Sequence, residues 1–345
     1  MTTLGEIAIE EMLFKSACGV RRPFSETAGV RCRGYSLLLQ RRITDFGSEK
    51  SFERAARQVK EHYGFAVGAS TVRRITEGHG QRLHGKAELV QGTADAPRGV
   101  AQLIAQTDGT MIPTVSMDPS RQGDQRKARQ VAWKEARLAL VYAQGSVEPV
   151  FGVSTGGVEQ AGDQLGLCAS RIGFDASTRI HAVGDGAQWI ADQTERVFGA
   201  QGSYLIDFFH LCDYLAAASK SCAADHRDWY NTQKARMKAG EMTAVLSALM
   251  PHMEPVAVND SDAPVRACHR YLRNRPEQFD YPKALHAGLP IGSGKIESAH
   301  RYVIQQRLKI PGAWWKIDNA DKMLALRATR ANRNWENYWD SLKAA

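Results

Sequence analysis

Apolar residues change their rhythm along this chain. Between Ser51 and Gly64, Phe52, Ala55, Ala56, Val59 and Tyr63 recur at helical spacing, and the glycine ends the pattern. A second helix begins after a short turn, with Ser70 or Thr71 as its N-cap. Two short helices about a glycine-bearing turn suit a helix-turn-helix, and they equally suit a plain helical hairpin, which spacing alone favours. From Ala101 the rhythm becomes that of strands: 101–106, 132–142 and 148–153, with Gln144-Gly145-Ser146 turning the last two into a hairpin. A helix over 156–172, a strand over 180–183, a helix through Trp189 and Val197, and a strand over 203–206 follow. From about Phe208 to Leu289 the pattern is helical throughout, too long for a loop and without strands, which predicts a helical insertion. A helix bearing Glu297 comes next, and a last helix spans 320–332.

Three antiparallel strands, a helix, then strand–helix–strand is the order of an RNase H-like sheet. The expected architecture is therefore α/β, an RNase H-like mixed sheet with an all-α insertion. Residues 1–95 form a basic, helical, helix-turn-helix-like region, and 96–207 the first part of the sheet domain. Residues 208–290 form the insertion, and 291–345 the second part, with the Glu297 helix and the C-terminal helix. Residues 88–100, with Gly92, Pro97 and Gly99, form the expected linker.

Composition adds a partner and a compartment. With 345 residues, 43% of them apolar and 24% charged, the chain is globular and long enough for a substantial core, which excludes disordered and fibrous classes. A net charge of +8 favours a polyanion such as nucleic acid. Arginines cluster near the start (Arg21, Arg22, Arg31, Arg33, Arg41, Arg42), and the second predicted helix carries Arg73 and Arg74. Of these, Arg41, Arg42, Arg73 and Arg74 are the N-terminal candidates for DNA contact. No apolar run approaches a membrane span, and the first residues lack the basic start and apolar core of a signal peptide. Cysteines 18, 32, 168, 212, 222 and 268 contain no Cys-x-x-Cys pair, so metal-ligand spacing is missing and free thiols suit a reducing interior. A cytoplasmic, nucleoid-associated protein without a membrane partner is expected.

The chemistry rests on three acids. Asp108, in Thr-Asp-Gly-Thr, ends the 101–106 run; Asp185, in Gly-Asp-Gly-Ala, ends the 180–183 run. Asp-Gly is also a common turn dipeptide, so each has a plain reading as a hairpin tip. A side chain at a strand end can instead project into a cleft. In the third segment, Gly292 and Gly294 allow a tight turn, and Ser293 or its neighbour can cap the next helix. Ile296, Ala299, Val303 and Ile310 share one face of that helix, with Glu297 at its edge. A first-turn glutamate is also stabilised by the helix dipole alone. Three carboxylates suit Mg²⁺ or Mn²⁺, which bind through few carboxylates together with phosphate, and two such ions can serve both oxygens of a phosphodiester displacement. Arg301, Arg307 and Lys309 are candidates for phosphate contact, and Trp314 and Trp315 for stacking on bases or for plain core packing. Asp207 and His210, at the end of the 203–206 strand, suit supporting or DNA-contacting roles, or simply a helix N-cap and its neighbour. Nucleotide binding is not expected. Gly292-Ser-Gly-Lys295 lacks the glycine a P-loop needs at Leu289 and the hydroxyl it needs at Ile296, and the glycines at 152, 156, 157 and 162 do not match the dinucleotide fingerprint.

Taken together, these segments resemble the DDE transposases of bacterial insertion sequences, in particular the Kra-type group. The matching residues are Asp108-Gly-Thr110, Gly184-Asp-Gly-Ala-Gln-Trp-Ile190, Asp207-Phe-Phe-His210 and Ile291-Gly-Ser-Gly-Lys-Ile-Glu-Ser-Ala-His300. Arg307-Leu-Lys-Ile-Pro-Gly-Ala-Trp-Trp315 and Leu324-Ala-Leu-Arg327 complete the set. The resemblance runs from about Glu61 to Trp339, and the block around Glu297 is quite specific. It implies an RNase H-like fold with Asp108, Asp185 and Glu297 as the catalytic, metal-binding triad for two Mg²⁺ or Mn²⁺ ions, and His300 among the supporting or DNA-contacting residues. The implied activity is DNA cleavage and strand transfer at insertion-sequence ends. The implied partners are double-stranded terminal repeats and target DNA, held by a homo-oligomer. The rivals are an RNase H-like nuclease without strand transfer and a transposase-derived DNA-binding protein. Many relatives carry a cysteine-rich zinc-binding segment near the N-terminus, where this chain has only Cys18 and Cys32.

Overall fold

The computed structural model describes residues 1–8, 10–28, 34–87, 99–118, 120 and 128–343. Of the expected linker at 88–100, residues 88–98 lie outside them, as do Arg31, Cys32 and Arg33. The chain is a mixed α/β protein built on a five-stranded mixed sheet.

The first residues depart from the helical region expected over 1–95. A short exposed hairpin, β1 (Phe14–Ser16) and β2 (Gly19–Arg21), turns over residues 17–18 into Gly19, whose φ of 135° suits glycine, and a single short helix α1 (Pro23–Thr27) follows. Three longer helices then pack together: α2 (Leu37–Gly47), α3 (Phe52–Tyr63) and α4 (Ala69–Ala87). Ser36 and Ser51 cap the first two, each hydroxyl accepting from the N–H three residues on at 3.3 Å. Gly64, in the left-handed region at φ 76°, ends α3 as the sequence predicts. Neither Ser70 nor Thr71 caps α4. The helix starts one residue earlier, and the Gly68 carbonyl takes the N–H groups of Thr71 and Val72. Leu39, Ile43, Ala55, Val59, Val67, Val72 and Ile75 form the shared core of the three helices.

The sheet runs in the order β5 (Val150–Ser154), β4 (Arg129–Ala143), β3 (Gln102–Met117), β6 (Arg179–Gly184), β7 (Gly202–Ile206). The first three strands are antiparallel, and β6 and β7 run parallel to β3. Strand β3 corrects the sequence reading: it does not stop near Gln106 but continues through Asp108 to Met117. Asp108-Gly109 is therefore no turn. Gly109 lies opposite Arg137 in the ladder, and a Cβ there would meet the Glu135 carboxylate at 1.9 Å, so the neighbouring strand fills the gap a side chain would occupy. What does end at Gln106 is the pairing with β6, whose last partner is Val183.

Alternation gives the sheet two faces. Leu103, Ala105, Ala139 and Val141 pack under α5 (Val158–Ile172) and α6 (Gln188–Phe198). Ile104, Ile112, Ala136, Leu138, Leu140 and Tyr142 pack under the segment that carries Glu297 and under the last two helices. Between the sheet and that segment run α7 (Phe208–Cys222), α8 (His226–Lys238), α9 (Met242–Leu249), α10 (Pro264–Arg273) and α11 (Tyr281–His286), with no strand among them. These helices gather their own core around Leu211, Leu215, Val265, Leu272 and Tyr281.

The Glu297 segment is α12 (Gly294–Ala299), a π-turn over His300–Gln305 and α13 (Gln306–Leu308); α14 (Ile317–Ala331) and α15 (Trp335–Lys343) complete the chain. Ile296, Ala299 and Val303 are buried as their spacing predicts, but Ile310 lies past the helix end. The buried positions are 296, 299/300, 303/304 and 307/308. A four-residue repeat drifts about 40° per repeat around an α-helix, and the wider π-turn offsets that drift. Among the described residues no helix is long and apolar enough to cross a membrane. There, too, Cys18 is exposed while Cys168, Cys212, Cys222 and Cys268 are buried, all as free thiols.

Candidate active site

Register and alternation line up three aspartates. Gln106 pairs with Val183 as the last partners of β3 and β6, so Asp108 and Asp185 each lie two residues beyond that pair on neighbouring strands. Gly184 pairs with Ile206, which puts Asp207 beside Asp185 in turn, and the Asp207 N–H donates to the Gly184 carbonyl at 2.7 Å. The period of two turns all three toward the face covered by the Glu297 segment.

Each aspartate is held differently. Asp108 is partly exposed; one oxygen accepts from the next N–H, of Gly109, at 2.6 Å, and the other lies 3.3 Å from Nε2 of the buried His300. Asp185 accepts from the Ala187 N–H at 2.8 Å, and among the described residues its second oxygen makes no hydrogen bond. The Asp185 carbonyl accepts from the Tyr271 hydroxyl at 2.8 Å, and the Gly186 N–H donates to the Tyr204 hydroxyl at 3.0 Å. Gly186 has φ 89° and leaves no room for a side chain, since a Cβ would lie 2.6 Å from the Tyr271 oxygen. Helix α10 thus reaches the Asp185 turn directly.

Asp207 is buried and caps α7, accepting from the Phe209 N–H at 2.6 Å. Its second oxygen accepts from the Ser293 N–H at 2.7 Å and from the Ser293 hydroxyl. Ser293 therefore occupies the N-cap position of α12 but spends its hydroxyl on Asp207, not on the helix. From β3, buried Gln106 donates to the Gly292 carbonyl at 3.3 Å and accepts from the Ile296 N–H at 3.0 Å. Gly292 also makes room for Phe209, whose ring would meet a Cβ at 2.8 Å. Two buried polar side chains, Asp207 just after β7 and Gln106 two residues before Asp108 on β3, thus clip the loop ahead of Glu297 to the sheet. Glu297 itself is exposed in the first turn of α12.

The remaining candidates divide by surroundings. His210 and Arg301 are exposed. Lys309 donates to the Thr110 hydroxyl at 2.7 Å, just beyond Asp108 on β3. Arg307 is buried and not presented to a phosphate: it donates to the Gly47 carbonyl at 3.0 Å and lies between the rings of Phe52 and Trp315, each 4.7 Å away. Burial pushes its pKa down to about 10. Trp315 is core as well, its indole N–H on the Leu308 carbonyl at 3.1 Å and its backbone bridged to Thr114. Trp314 is partly exposed, with Trp133 at 6.3 Å and the Arg129 guanidinium 5.7 Å above its ring. Arg73 is exposed and Arg74 half-buried on α4; Arg42 pairs with Asp45 at 3.6 Å, and Arg41 is tied to Glu336 of α15. Lys295, the lysine of the P-loop look-alike, packs 3.5 Å from the centre of the Tyr142 ring and donates to the Ser146 carbonyl.

Sequence reasoning missed Gln106, Ser293 as a tether, and Tyr271. The one available signal was a glutamine in an otherwise apolar strand. In donor type, Asp108 and Asp185 fit a hard divalent cation, being carboxylates on neighbouring strands, Asp108 within β3 and Asp185 just past the end of β6, with an oxygen to spare on Asp185. Among the described residues, however, no three His, Cys, Asp or Glu side chains converge closely enough to hold an ion, so Glu297 does not close on the pair. No known family's model matches this chain, and no curated protein matches it either.

Proposed function

We propose that this chain is a DDE-type transposase with an RNase H-like core, cutting phosphodiester bonds at the ends of an insertion sequence and joining them to target DNA. The observation that carries this reading is the placement of Asp108 and Asp185 at matching positions on adjacent strands, under a Glu297 helix clipped to the same face by Gln106 and Asp207. In this reading Asp108 and Asp185, with Glu297, would hold Mg²⁺ or Mn²⁺. Two such ions, when bound, lower the pKa of the attacking oxygen and offset charge on the leaving one. The chain's own residues orient the DNA: Lys309 and Arg301 meet backbone phosphates beside the acids, and Trp314 offers an exposed ring to bases. His300 stands beside the aspartate pair, its Nε2 3.3 Å from one oxygen of Asp108. The N-terminal helices, through Arg73, Arg74 and Arg42, bind the element's terminal repeats. Residues 208–290 act as an insertion domain that braces the Asp185 turn through Tyr271. A homo-oligomer pairs the two ends, and the protein works on the nucleoid.

A second reading, a transposase-derived DNA-binding protein without catalysis, draws on the failure of three acids to converge. One experiment separates them. DNA from both flanks of the gene is incubated with the chain, Mg²⁺ and a target plasmid, and end binding, cleavage and joining are scored. The transposase reading expects all three, with Glu297→Gln binding ends but not cutting. Cleavage without joining favours a plain nuclease, binding alone favours the second reading, and full cleavage by Glu297→Gln removes that residue from the chemistry.

A further inference from the structure

Arg327 lies on α14, and it is buried. Its guanidinium donates to the Tyr302 carbonyl, to the Val303 carbonyl at 3.4 Å and to the Gln306 side chain at 3.3 Å, all within or just after the π-turn. On its other side it donates to the Ser48 carbonyl at 3.5 Å and to the Glu49 carboxylate at 3.2 Å. Ser48 is the C-cap of α2, a helix with no basic residue in its own last turn. Arg307 takes the adjacent Gly47 carbonyl, and Arg330 reaches Asp45 at 3.4 Å. The negative end of α2 is therefore capped by arginines from the far end of the chain.

The π-turn is what these contacts hold. It sets the rotation between the upstream half of the segment, with Glu297 and His300, and the downstream half fixed by Arg307 and Leu308. A π-turn stretches the ordinary helical hydrogen-bond pattern, and a fork of donors from outside stabilises the carbonyls it contains.

We propose that Arg327 is a positioning residue for Glu297: it fixes the π-turned form of the segment and anchors that form to the end of α2. Its effect on catalysis rests on the transposase reading; its effect on the segment does not. The experiment uses the full chain as wild type, Arg327→Gln, Arg327→Lys and Glu49→Gln. Amide hydrogen exchange is followed without DNA or metal, and single-turnover cleavage and end binding are measured with them. Arg327→Gln speeds exchange over 300–308 at least tenfold while α7 and α10 keep wild-type rates. It slows cleavage at least tenfold with end affinity changed less than threefold. Arg327→Lys recovers only part of either effect, because a single ammonium cannot bridge the carbonyls and Glu49 as the planar fork does. Glu49→Gln, which leaves the guanidinium in place, gives a smaller rise confined to 300–308, and this arm decides the matter if Arg327→Gln does not fold. Unchanged exchange over 300–308, or an equal rise in all helices, overturns the proposal. A wild-type chain that cuts no DNA removes the transposase reading, while the exchange data still decide the role of Arg327 in the segment.

Discussion

Asp207→Ala tests whether the loop before Glu297 is held by the sheet. The carboxylate makes two kinds of contact: it caps α7, and it accepts from both the N–H and the hydroxyl of Ser293. Loss of the cap costs about 1 kcal/mol. Each of the two Ser293 donors left buried without an acceptor costs about 1–3 kcal/mol, so the expected loss, cap included, is roughly 3–7 kcal/mol. Asp207→Ser keeps a capping oxygen but is too short to span to Ser293, and it should lose most of the second part alone. Urea unfolding near neutral pH gives these values from the shift in midpoint at constant m. Ser293→Ala removes only the hydroxyl. In a double-mutant cycle with Asp207→Ala the pair should couple by about 1–2 kcal/mol, beyond the roughly 0.5 kcal/mol within which independent sites add. Additive losses, or a total for Asp207→Ala no larger than a lost cap, would refute the tether.

Two glycines of α4 should respond in opposite directions. At Gly80 a Cβ would lie 2.5 Å from the Lys322 backbone oxygen of α14, so Gly80→Ala should destabilise by about 1–3 kcal/mol despite its better helix propensity, whereas exposed Gly78 meets nothing within 4 Å and Gly78→Ala should stabilise by about 0.5–1 kcal/mol. Thermal unfolding of the two variants checks this, and equal shifts would contradict the close helix approach. His181 is buried with Nε2 donating to the Pro290 carbonyl, and burial holds its pKa below the ordinary value. The unfolded chain takes up the proton first as pH falls through about 6.5, so this residue's stability is present above that pH and lost below it, down to the lowered folded pKa. His181→Gln should therefore flatten the loss of stability between about pH 7.5 and 5.5; identical slopes for both proteins would argue against a neutral buried histidine.

Much of the sheet was legible because its signals are local. Strands β6 and β7 and helices α3 and α6 follow apolar periods that neighbours in sequence determine. The length of β3 was not, since Asp108-Gly109 is a turn signal on its own and becomes strand only because Glu135 of β4 fills the space over the glycine. Arg307 shows the same limit for charge. In sequence it stands among basic residues suited to phosphate, yet two rings and the end of a helix 260 residues away take it into the interior. Trp315 and Arg41 belong to the same class. At the candidate site, the position of Asp207 before a helix announced a cap, but its bond to Ser293, 86 residues on, depends on where the chain returns after the helical segment. The π-turn was hidden because Ile310 continues an α-helical spacing that the buried residues abandon after Val303.

The arginine cap on α2 also orders events during synthesis. Arg327 is 279 residues from Ser48, so at about 5–20 residues per second the end of α2 waits roughly 15–55 s for its partner to be made. Over that interval the faces of α2 and α4 that will meet α14 and α15, including buried Gln40, His79 and Gly80, have nothing to close on. The N-terminal helices can form early around their own small core, but their final seat is built last. A chain halted before Arg327 would carry those helices without the contacts that fix them, and synthesis of α14 and α15 becomes the step that seats the N-terminal helices.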